Sequence, residues 1–424
     1  MSVSATLTIG RELEAVSSGK AIKHYSAATA IYPDEAEVWL RLAASLRRKG
    51  RSEELRAALK QAWRCGASAA AIAQLSPLRK DPEAFLKAAK ESPEDMEVRM
   101  AIGPFLRNHF DKFEPQSLEI ADALTRFPLP DSIRIETASA CNLRCGHCTT
   151  GVAYDSTDRR VMRLETFERI IGQMQRLPSL KTATMYLGGE PLLNKHHALM
   201  CRRVKEETSV KVTKFVTNGM LLSQAWCDRL VDANVDMITI SVDGLSREQS
   251  DQIRSGSDFE IIRKNILALK ETFDRARVST RIVIGNTQFR KAGQSESDLE
   301  SAEFLRKEFK GIPIDPNWAM VWPGMQADEV GIDDLVVETS TPLNFCDHPF
   351  RDFAVRANGD VVLCCYDISG RHVMGNVARD DLLDLFESEA YVALRSVMLR
   401  RAKEELPAVC QRCAVYTGAK FIRY

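Results

Sequence analysis

The chain has 424 residues, enough for two to four domains at roughly 100 to 200 residues each. Lysine plus arginine and aspartate plus glutamate each number 58, so no excess charge favours nucleic acid or a membrane surface as a partner. There is no apolar run of membrane-spanning length, and charges occupy the place of a signal peptide's apolar stretch, so we expect a cytoplasmic protein. Eleven cysteines in a reducing compartment indicate metal binding rather than disulfides.

Residues 1–125 are predicted to form a helical domain, because apolar residues recur at intervals of three and four. Two stretches resemble tetratricopeptide (TPR) repeats, although their separation is not a multiple of the repeat period. The matching positions are Ala21, Tyr25, Ala28 and Pro33 with Trp39, Leu42 and Leu46, and then Phe85, Ala88 and Pro93. An ordinary helical bundle explains the pattern equally well. The domain offers a surface for a protein partner but no evident chemistry.

Residues 131–335 are predicted to form an α/β core, in which short β-rich runs alternate with amphipathic stretches. The predicted strands are Ser132–Glu136, Thr182–Leu187, Lys211–Thr217, Met237–Ser241, Arg281–Ile284 and Ile314–Met320. Such β-then-α units imply a parallel sheet, which binds ligands at the carboxyl ends of its strands. Functional residues are therefore expected directly after each strand.

Residues 341–424 no longer alternate and are predicted to form a small metal-binding domain. The region carries a turn at Asn358-Gly359-Asp360 and a helical stretch from Asp380 to Arg401. It also holds several cysteines, namely Cys346, Cys364, Cys365, Cys410 and Cys413.

A first cysteine cluster, C-x3-C-x2-C, follows the first predicted strand at Cys141, Cys145 and Cys148. The loop is too short and too polar to bury three thiols in a core, so we expect a metal group. A structural zinc site needs four ligands, and His147 is a candidate for the fourth. Three thiolates alone suit an iron-sulfur cluster with one open position.

This loop and the segments after it resemble the radical S-adenosylmethionine (radical SAM) superfamily, from about Asp131 onward. The resemblance implies a partial (β/α)6 TIM-like barrel and a [4Fe-4S] cluster on the three cysteines. It also implies that S-adenosylmethionine binds the fourth iron and is cleaved to a 5'-deoxyadenosyl radical that abstracts hydrogen atoms. Family members usually have an aromatic residue before the third cysteine, where this chain has His147.

The predicted cofactor pocket begins with Gly188-Gly189-Glu190-Pro191 after the second strand. Alone it would be read as a tight turn, but in this position the family binds the amino group of S-adenosylmethionine. By the same resemblance, segments after the third and fourth strands line the ribose and carboxylate, and Gly285-Asn286 lies near adenine. The side chains involved are Asn218, Ser241, Asp243 and Arg254, although Arg254 could equally be a solvated helix charge.

The second cysteine set consists of Cys346, Cys364, Cys410 and Cys413, which suffice to close a site. Spacing alone does not separate zinc from iron-sulfur. The region resembles the shortened SPASM domain called a twitch, which implies one auxiliary [4Fe-4S] cluster, since no further cysteines follow Cys413. Cys365 is an alternative ligand to Cys364. It is also a weak candidate for returning a hydrogen atom to a substrate radical, as a cysteine does in some relatives.

Together these features predict a radical SAM enzyme that oxidises or epimerises a small polar metabolite, such as a sugar or aminocyclitol. Its cofactors would be S-adenosylmethionine and two [4Fe-4S] clusters, and its electron donor a flavodoxin or ferredoxin. One alternative is a maturase that modifies a peptide or protein held by the N-terminal helices. Another is a non-enzymatic iron-sulfur sensor or scaffold, against which the cofactor-pocket segments argue.

Overall fold

The computed structural model describes residues 2–67, 69–78, 81–109, 120–152, 159–323, 325–330, 332, 334–339 and 345–423. Backbone contacts divide the chain into two compact units, Met1–Pro130 and Asp131–Tyr424. The predicted start of the third domain, residue 341, lies outside the described residues.

The first unit is helical, as predicted. Tyr25 is buried between helices, and its ring lies so close to Gly10 that any larger residue at Gly10 would collide with it. The repeat positions Ala21, Ala28 and Leu46 are buried too, although a TPR array stays a prediction. The helices are α1 (Val3–Val16), α2 (Ser18–Ile31), α3 (Ala36–Arg48), α4 (Ser52–Arg64), α5 (Ala69–Leu75), α6 (Pro82–Glu91), α7 (Met96–His109) and α8 (Ala121–Arg126).

The second unit is built on a nine-stranded sheet with the order β11-β10-β9-β1-β2-β3-β4-β5-β7, and a small sheet has the order β6-β12-β8. The strands are β1 (Ser132–Ile135), β2 (Thr182–Thr184), β3 (Val212–Thr217), β4 (Met237–Ser241), β5 (Arg281–Gln288), β6 (Arg290–Lys291), β7 (Ile314–Trp318), β8 (Leu335–Thr339), β9 (Asp352–Val355), β10 (Asp360–Val362), β11 (Val373–Asn376) and β12 (Ala419–Arg423).

Helices of the second unit follow the strands. They are α9 (Thr149–Val152), α10 (Leu164–Met174), α11 (His197–Glu207), α12 (Gln224–Val231), α13 (Arg247–Ile253), α14 (Phe259–Ala276), α15 (Glu303–Glu308), α16 (Leu382–Phe386), α17 (Glu389–Leu399), α18 (Ala408–Gln411) and α19 (Ala414–Thr417). Short 3-10 helices cover Pro191–Leu193, Glu296–Asp298, Asp328–Val330, His348–Phe350 and Lys403–Glu405.

All six predicted core strands are present and run parallel, in the chain order expected of a partial barrel. In β1 to β5, buried side chains such as Ile133, Phe215 and Ile240 are interspersed with partly buried ones, whereas β7 has no buried side chain. The amphipathic stretches after the strands bury the predicted apolar faces, for example Phe167 and Ile171 of α10 and Ile262 and Leu269 of α14. The carboxyl ends of these strands therefore form one edge.

The sheet extends beyond β1 into the C-terminal region, which the sequence pattern did not indicate. Strand β9 pairs in parallel with β1, with Ser132 opposite Asp352 and Ile135 opposite Val355. Strand β10 then turns back through the predicted hairpin, whose Gly359 has a φ of 88°. The residues that follow β1 and β9 therefore emerge side by side. Within the described residues, no helix combines the length and apolarity needed to cross a bilayer.

Candidate functional site

The loop after β1 brings the first three cysteines to the carboxyl edge of the sheet. Cys141, Cys145 and Cys148 line a cavity of about 420 Å³. The Cys148 N–H donates to the Cys145 carbonyl at 3.2 Å, and helix α9 begins directly after it at Thr149. Burial raises the pKa of Cys141, and it raises that of Cys145 to about 12. Thiols of this kind stay protonated at neutral pH unless a metal group binds them.

The spacing of the sulfur atoms agrees better with an iron-sulfur cluster than with zinc. In the described part of the chain, no three of the predicted ligand cysteines have sulfurs all within 4.8 Å of one another. Thiolates on one tetrahedral zinc would lie about 3.8 Å apart, because each binds the ion at about 2.3 Å. In a [4Fe-4S] cluster each thiolate binds a different iron, so the sulfurs lie farther apart. Both cysteine sets therefore fit a cluster better than zinc.

The Gly188-Gly189-Glu190-Pro191 turn is tied to this loop through its backbone. The Glu190 N–H donates to the Ala140 carbonyl at 2.8 Å. A Cβ at Gly189 would collide with the backbone oxygens of Ala138 and Ala140, so this close approach requires glycine. The turn and the cysteine loop therefore hold one another in place.

The Glu190 carboxylate is buried and organises the neighbouring strand end. Its Oε1 accepts from the Thr217 hydroxyl at 2.8 Å and from the Leu192 N–H at 3.0 Å, and its Oε2 accepts from the Asn218 N–H at 2.8 Å. Burial raises the pKa of Glu190 above its usual value, although these bonds oppose the shift. Asn218 in turn donates to Asn142 Oδ1 at 2.8 Å, beside Cys141. Glu190 thus positions the predicted pocket as well as lining it.

A buried carboxylate that the sequence reasoning missed lies beneath the same turn. Glu136 follows β1 directly, accepts from the Gly188 N–H at 3.2 Å through Oε1, and accepts from the Ala357 N–H at 3.0 Å through Oε2. Arg356 Nε lies 3.9 Å from Oε2. The only available sequence signal was an acidic residue at the end of an apolar strand. Glu136 joins the cofactor turn to the C-terminal hairpin.

Asp243 and Arg254, which were predicted as pocket residues, form a buried ion pair. Arg254 Nη1 donates to Asp243 Oδ2 at 2.6 Å, and His147 Nε2 lies 3.3 Å from the same oxygen. Burial would raise the pKa of Asp243, but Arg254 and His147 hold it well below its usual range. Arg254 lines the cavity, whereas Asp243 is not among its lining residues. Asp243 therefore lies behind the wall and orients Arg254 and His147.

In the group formed by Asp243, Arg254 and His147, two buried nitrogens have no hydrogen-bond partner among the described residues. They are Nε of Arg254 and Nδ1 of His147. Such atoms are costly to bury unless a ligand satisfies them. With the thiols and the glycine turn, they fit a bound cluster and cofactor. Gly285 also lines the cavity, whereas Asn286 is buried and donates to the carbonyls of Val242 and Gly244.

The other lining residues of the cavity form what we call its second wall. They include aromatic and polar side chains, and they come from β1, β7 and the loops after β2, β7 and β10. Its residues are Arg134, Tyr186, Asn317, Trp318, Met320, Trp322, Cys365, Tyr366 and Ile368. Tyr186 is partly buried, and its loss of solvent raises its pKa above the usual value. Ser241 and Thr287, near the carboxyl ends of β4 and β5, also line the cavity.

The second cysteine set converges on a cavity of its own. Cys346, Cys364, Cys410 and Cys413 all line it, together with Tyr366 and Tyr416. Burial raises the pKa of each thiol, that of Cys410 to about 12. This placement favours Cys364 over Cys365 as the fourth ligand.

Cys365 instead lines the cavity of the first cysteine set, which is called the catalytic cavity below, and its thiol lies against a histidine. Its Sγ is 3.9 Å from both ring nitrogens of His348, and His348 Nδ1 is 3.1 Å from Asp352 Oδ2. Burial would lower the pKa of His348, but Asp352 and Cys365 raise it to about 9. Of the other thiols, Cys201 and Cys227 are buried in the core, as expected.

Replacing Glu190 with glutamine should weaken S-adenosylmethionine binding about 10- to 100-fold without removing iron. Glutamine presents an NH2 group where the carboxylate accepts hydrogen bonds, and one unpaired buried donor costs about 1–3 kcal/mol. Anaerobic calorimetry measures the affinity, and an iron assay tests the clusters. Glu165→Gln, on the exposed face of α10, is the matched control. Unchanged affinity would contradict the role of Glu190.

Comparisons with known proteins agree with this geometry. Residues 135–292 match the model of the radical SAM superfamily, and residues 346–414 match that of the SPASM iron-sulfur cluster-binding domain. The GTP 3',8-cyclase of Chlorobaculum tepidum is 31% identical over 144 residues, which are 34% of this chain and 42% of that protein. The curated relatives are matched over about half of their length.

Two solved structures illustrate the structural likeness. BtrN in complex with AdoMet and 2-DOIA is 17% identical with a TM-score of 0.44, covering 67% of this chain and 93% of that one. Streptococcus suis SuiB bound to its precursor peptide SuiA is 14% identical with a TM-score of 0.42, covering 74% and 90%. Radical SAM domains bind S-adenosylmethionine and a [4Fe-4S] cluster, and SPASM domains bind additional iron-sulfur clusters. The two family models therefore place a radical SAM domain and a C-terminal SPASM iron-sulfur cluster-binding domain in this chain.

Proposed function

We propose that the chain oxidises or epimerises a small polar metabolite of the sugar or aminocyclitol type. When bound, the first cluster and S-adenosylmethionine supply a 5'-deoxyadenosyl radical that abstracts a hydrogen atom from carbon. The observation that carries the substrate class is the lining of the cavity, which offers hydrogen-bonding and aromatic side chains and arginines that are already paired with aspartates.

Each wall of the cavity has its own task in this proposal. Cys141, Cys145 and Cys148 would hold the cluster. The glycine turn leaves room for the methionine part of the cofactor, while Asn218, Ser241 and Arg254 would contact the rest of it. The second wall, called the substrate wall from here on, would bind the substrate and exclude water from the radical. The set Cys346, Cys364, Cys410 and Cys413 would hold the auxiliary cluster, and a flavodoxin or ferredoxin would supply electrons.

The charges of the cavity favour a substrate without phosphate groups over a nucleoside triphosphate. Of the described residues that line it, the arginines are Arg134 and Arg254. Arg134 Nε lies 3.6 Å from Asp352, and Arg254 is bonded to Asp243. A triphosphate needs unpaired cations or a metal ion, whereas hydroxyls need only partners such as Tyr186, Asn317 and Thr287. The name of the curated relatives, GTP 3',8-cyclase, therefore does not transfer directly.

A variant at Cys365 would distinguish the two proposed reactions, oxidation and epimerisation. Epimerisation requires a hydrogen atom returned to the substrate radical, and Cys365 is the thiol on the substrate wall. Oxidation requires no such donor, because the radical loses an electron and a proton instead. The Cys365→Ala variant should therefore keep its product if the reaction is an oxidation and lose it if the reaction is an epimerisation.

Deuterium transfer tests the substrate class. The reconstituted enzyme is mixed with S-adenosylmethionine, a reductant and carbon-deuterated sugars or aminocyclitols, with deuterated GTP and peptides as comparison. We expect deuterium in 5'-deoxyadenosine from a sugar or aminocyclitol, measured by mass spectrometry, and none from GTP or peptides. Label from a peptide or GTP alone would contradict the proposal. No cleavage of S-adenosylmethionine under any condition would favour a sensor or scaffold.

A peptide-modifying enzyme remains the second candidate, because the first unit carries a groove. The groove of about 550 Å³ is lined by Trp63, Arg64 and the pairs Arg56–Glu97 and Lys60–Asp95. A peptide substrate would lose affinity in the Lys60→Glu/Arg64→Glu variant, with Lys20→Glu of the same unit as control. If this variant binds the substrate that was identified by deuterium transfer as tightly as the unmodified enzyme does, the result supports a small metabolite as the substrate.

A further inference from the structure

The structure places one side chain in the wall between the catalytic cavity and the auxiliary cysteine cavity. Tyr366 lines both cavities. Its own N–H donates to the Sγ of Cys364 at 3.4 Å, so its backbone is anchored to a predicted ligand of the auxiliary cluster. Of the described residues, no other lines both cavities.

Aromatic contacts continue from Tyr366 into the catalytic cavity. The ring of Trp322 lies 5.8 Å from that of Tyr366 at an interplanar angle of 50°, and Trp322 lines the catalytic cavity only. The ring of His348 packs on another side of Tyr366 at 5.6 Å, edge to face. These contacts fix the Tyr366 ring between the two sites. Among the described residues, the side chain of Tyr366 thus lies between the substrate wall and the cavity that Cys364 lines.

We propose that Tyr366 is the bridge by which the substrate radical passes one electron to the auxiliary cluster. The inference rests on the proposed oxidation. Hydrogen-atom abstraction leaves a radical on a carbinol carbon of the substrate. That radical would lose one electron to the auxiliary cluster, which would thereby be reduced by one electron. The hydroxyl group on the same carbon would lose a proton to water. The substrate would then carry a carbonyl group. Tyr366 provides the path and is itself neither oxidised nor deprotonated.

The test compares Tyr366→Phe, which keeps the ring, with Tyr366→Leu, which removes it. The probe is the deuterated sugar or aminocyclitol that transfers its label in the experiment above. Freeze-quench EPR of the holoenzyme follows the reduced auxiliary cluster and the substrate radical after mixing. We expect Tyr366→Phe to match the unmodified enzyme. In Tyr366→Leu, cluster reduction should slow about tenfold or more while the radical accumulates.

Two further measurements separate a lost path from a lost cluster. Dithionite should produce the auxiliary-cluster signal in both variants, and an EPR-monitored titration should give the same reduction potential for both. If Tyr366→Leu loses the cluster, Tyr366→Met, which fills a similar volume without a ring, takes its place. If the auxiliary cluster is reduced equally fast in the unmodified enzyme and in the variant without the ring, the proposed role of Tyr366 is wrong. It is also wrong if Tyr366→Phe slows the reduction as much as the variant without the ring. If the unmodified enzyme consumes substrate without reducing the cluster, the oxidation itself is wrong.

Discussion

The variant in which Cys141, Cys145 and Cys148 are all replaced by alanine should lose cleavage of S-adenosylmethionine by about three orders of magnitude or more. The three thiols face one cavity at the carboxyl ends of the strands, and the further cysteine among its described lining residues, Cys365, lies on the loop after β10. Without them no iron is held beside the glycine turn. The rate of 5'-deoxyadenosine formation under anaerobic conditions measures the loss.

The same variant should keep the auxiliary iron. We expect about eight irons per chain in the unmodified protein and about four in the triple variant, since the second cysteine set lies in a cavity of its own. Cys65→Ala removes a thiol of the first unit and should leave the iron content and the activity unchanged. Zinc at either site, or undiminished iron in the triple variant, would show that the cysteines were assigned wrongly.

Gly189→Ala should be the most damaging single exchange outside the cysteines. The added Cβ would meet the backbone oxygens of Ala138 and Ala140, which cannot rotate away as a side chain can. The cysteine loop or the turn must then shift, which costs about 1–3 kcal/mol or more. We expect S-adenosylmethionine cleavage to fall by about two orders of magnitude, together with a lower melting temperature.

Gly172→Ala is the matched control for this exchange. Gly172 lies on the exposed face of α10, and a Cβ there would meet nothing within 4 Å. An alanine in a helix is more favourable than a glycine by about 0.5–1 kcal/mol, so the control should be active and slightly more stable. Thermal unfolding and 5'-deoxyadenosine formation are measured on both variants. Full activity in Gly189→Ala would mean that the turn has more space than the structure shows.

Local patterns were sufficient for the strands and for the cysteine motifs. The six core strands follow from short β-rich runs, and the apolar faces of α10 and α14 follow from helical periodicity, because both depend on neighbours in sequence. The cysteine spacing and the glycine turn are local as well. Each places its residues directly after a strand, and parallel strands end at a common edge.

Roles that depend on distant partners were not accessible in this way. Asp243 was expected in the pocket, but its carboxylate is taken up by Arg254 and His147 behind the wall. Glu136 was not identified, because its partners Gly188 and Ala357 are far apart in the chain. A spacing pattern does not reveal which of several polar groups finds a partner inside the protein.

The sequence by itself determined the α/β fold class, the parallel core strands and the first cysteine cluster, since each is encoded by periodicity or spacing within one segment. Only the tertiary structure decided that β9 pairs with β1, and that pairing brings the C-terminal hairpin beside the cysteine loop. It also decided that Cys364 and Cys365 face different cavities. Both cysteines lie in the bend and turn after β10, so the direction of each thiol depends on the backbone path of that loop, which a spacing pattern does not reveal.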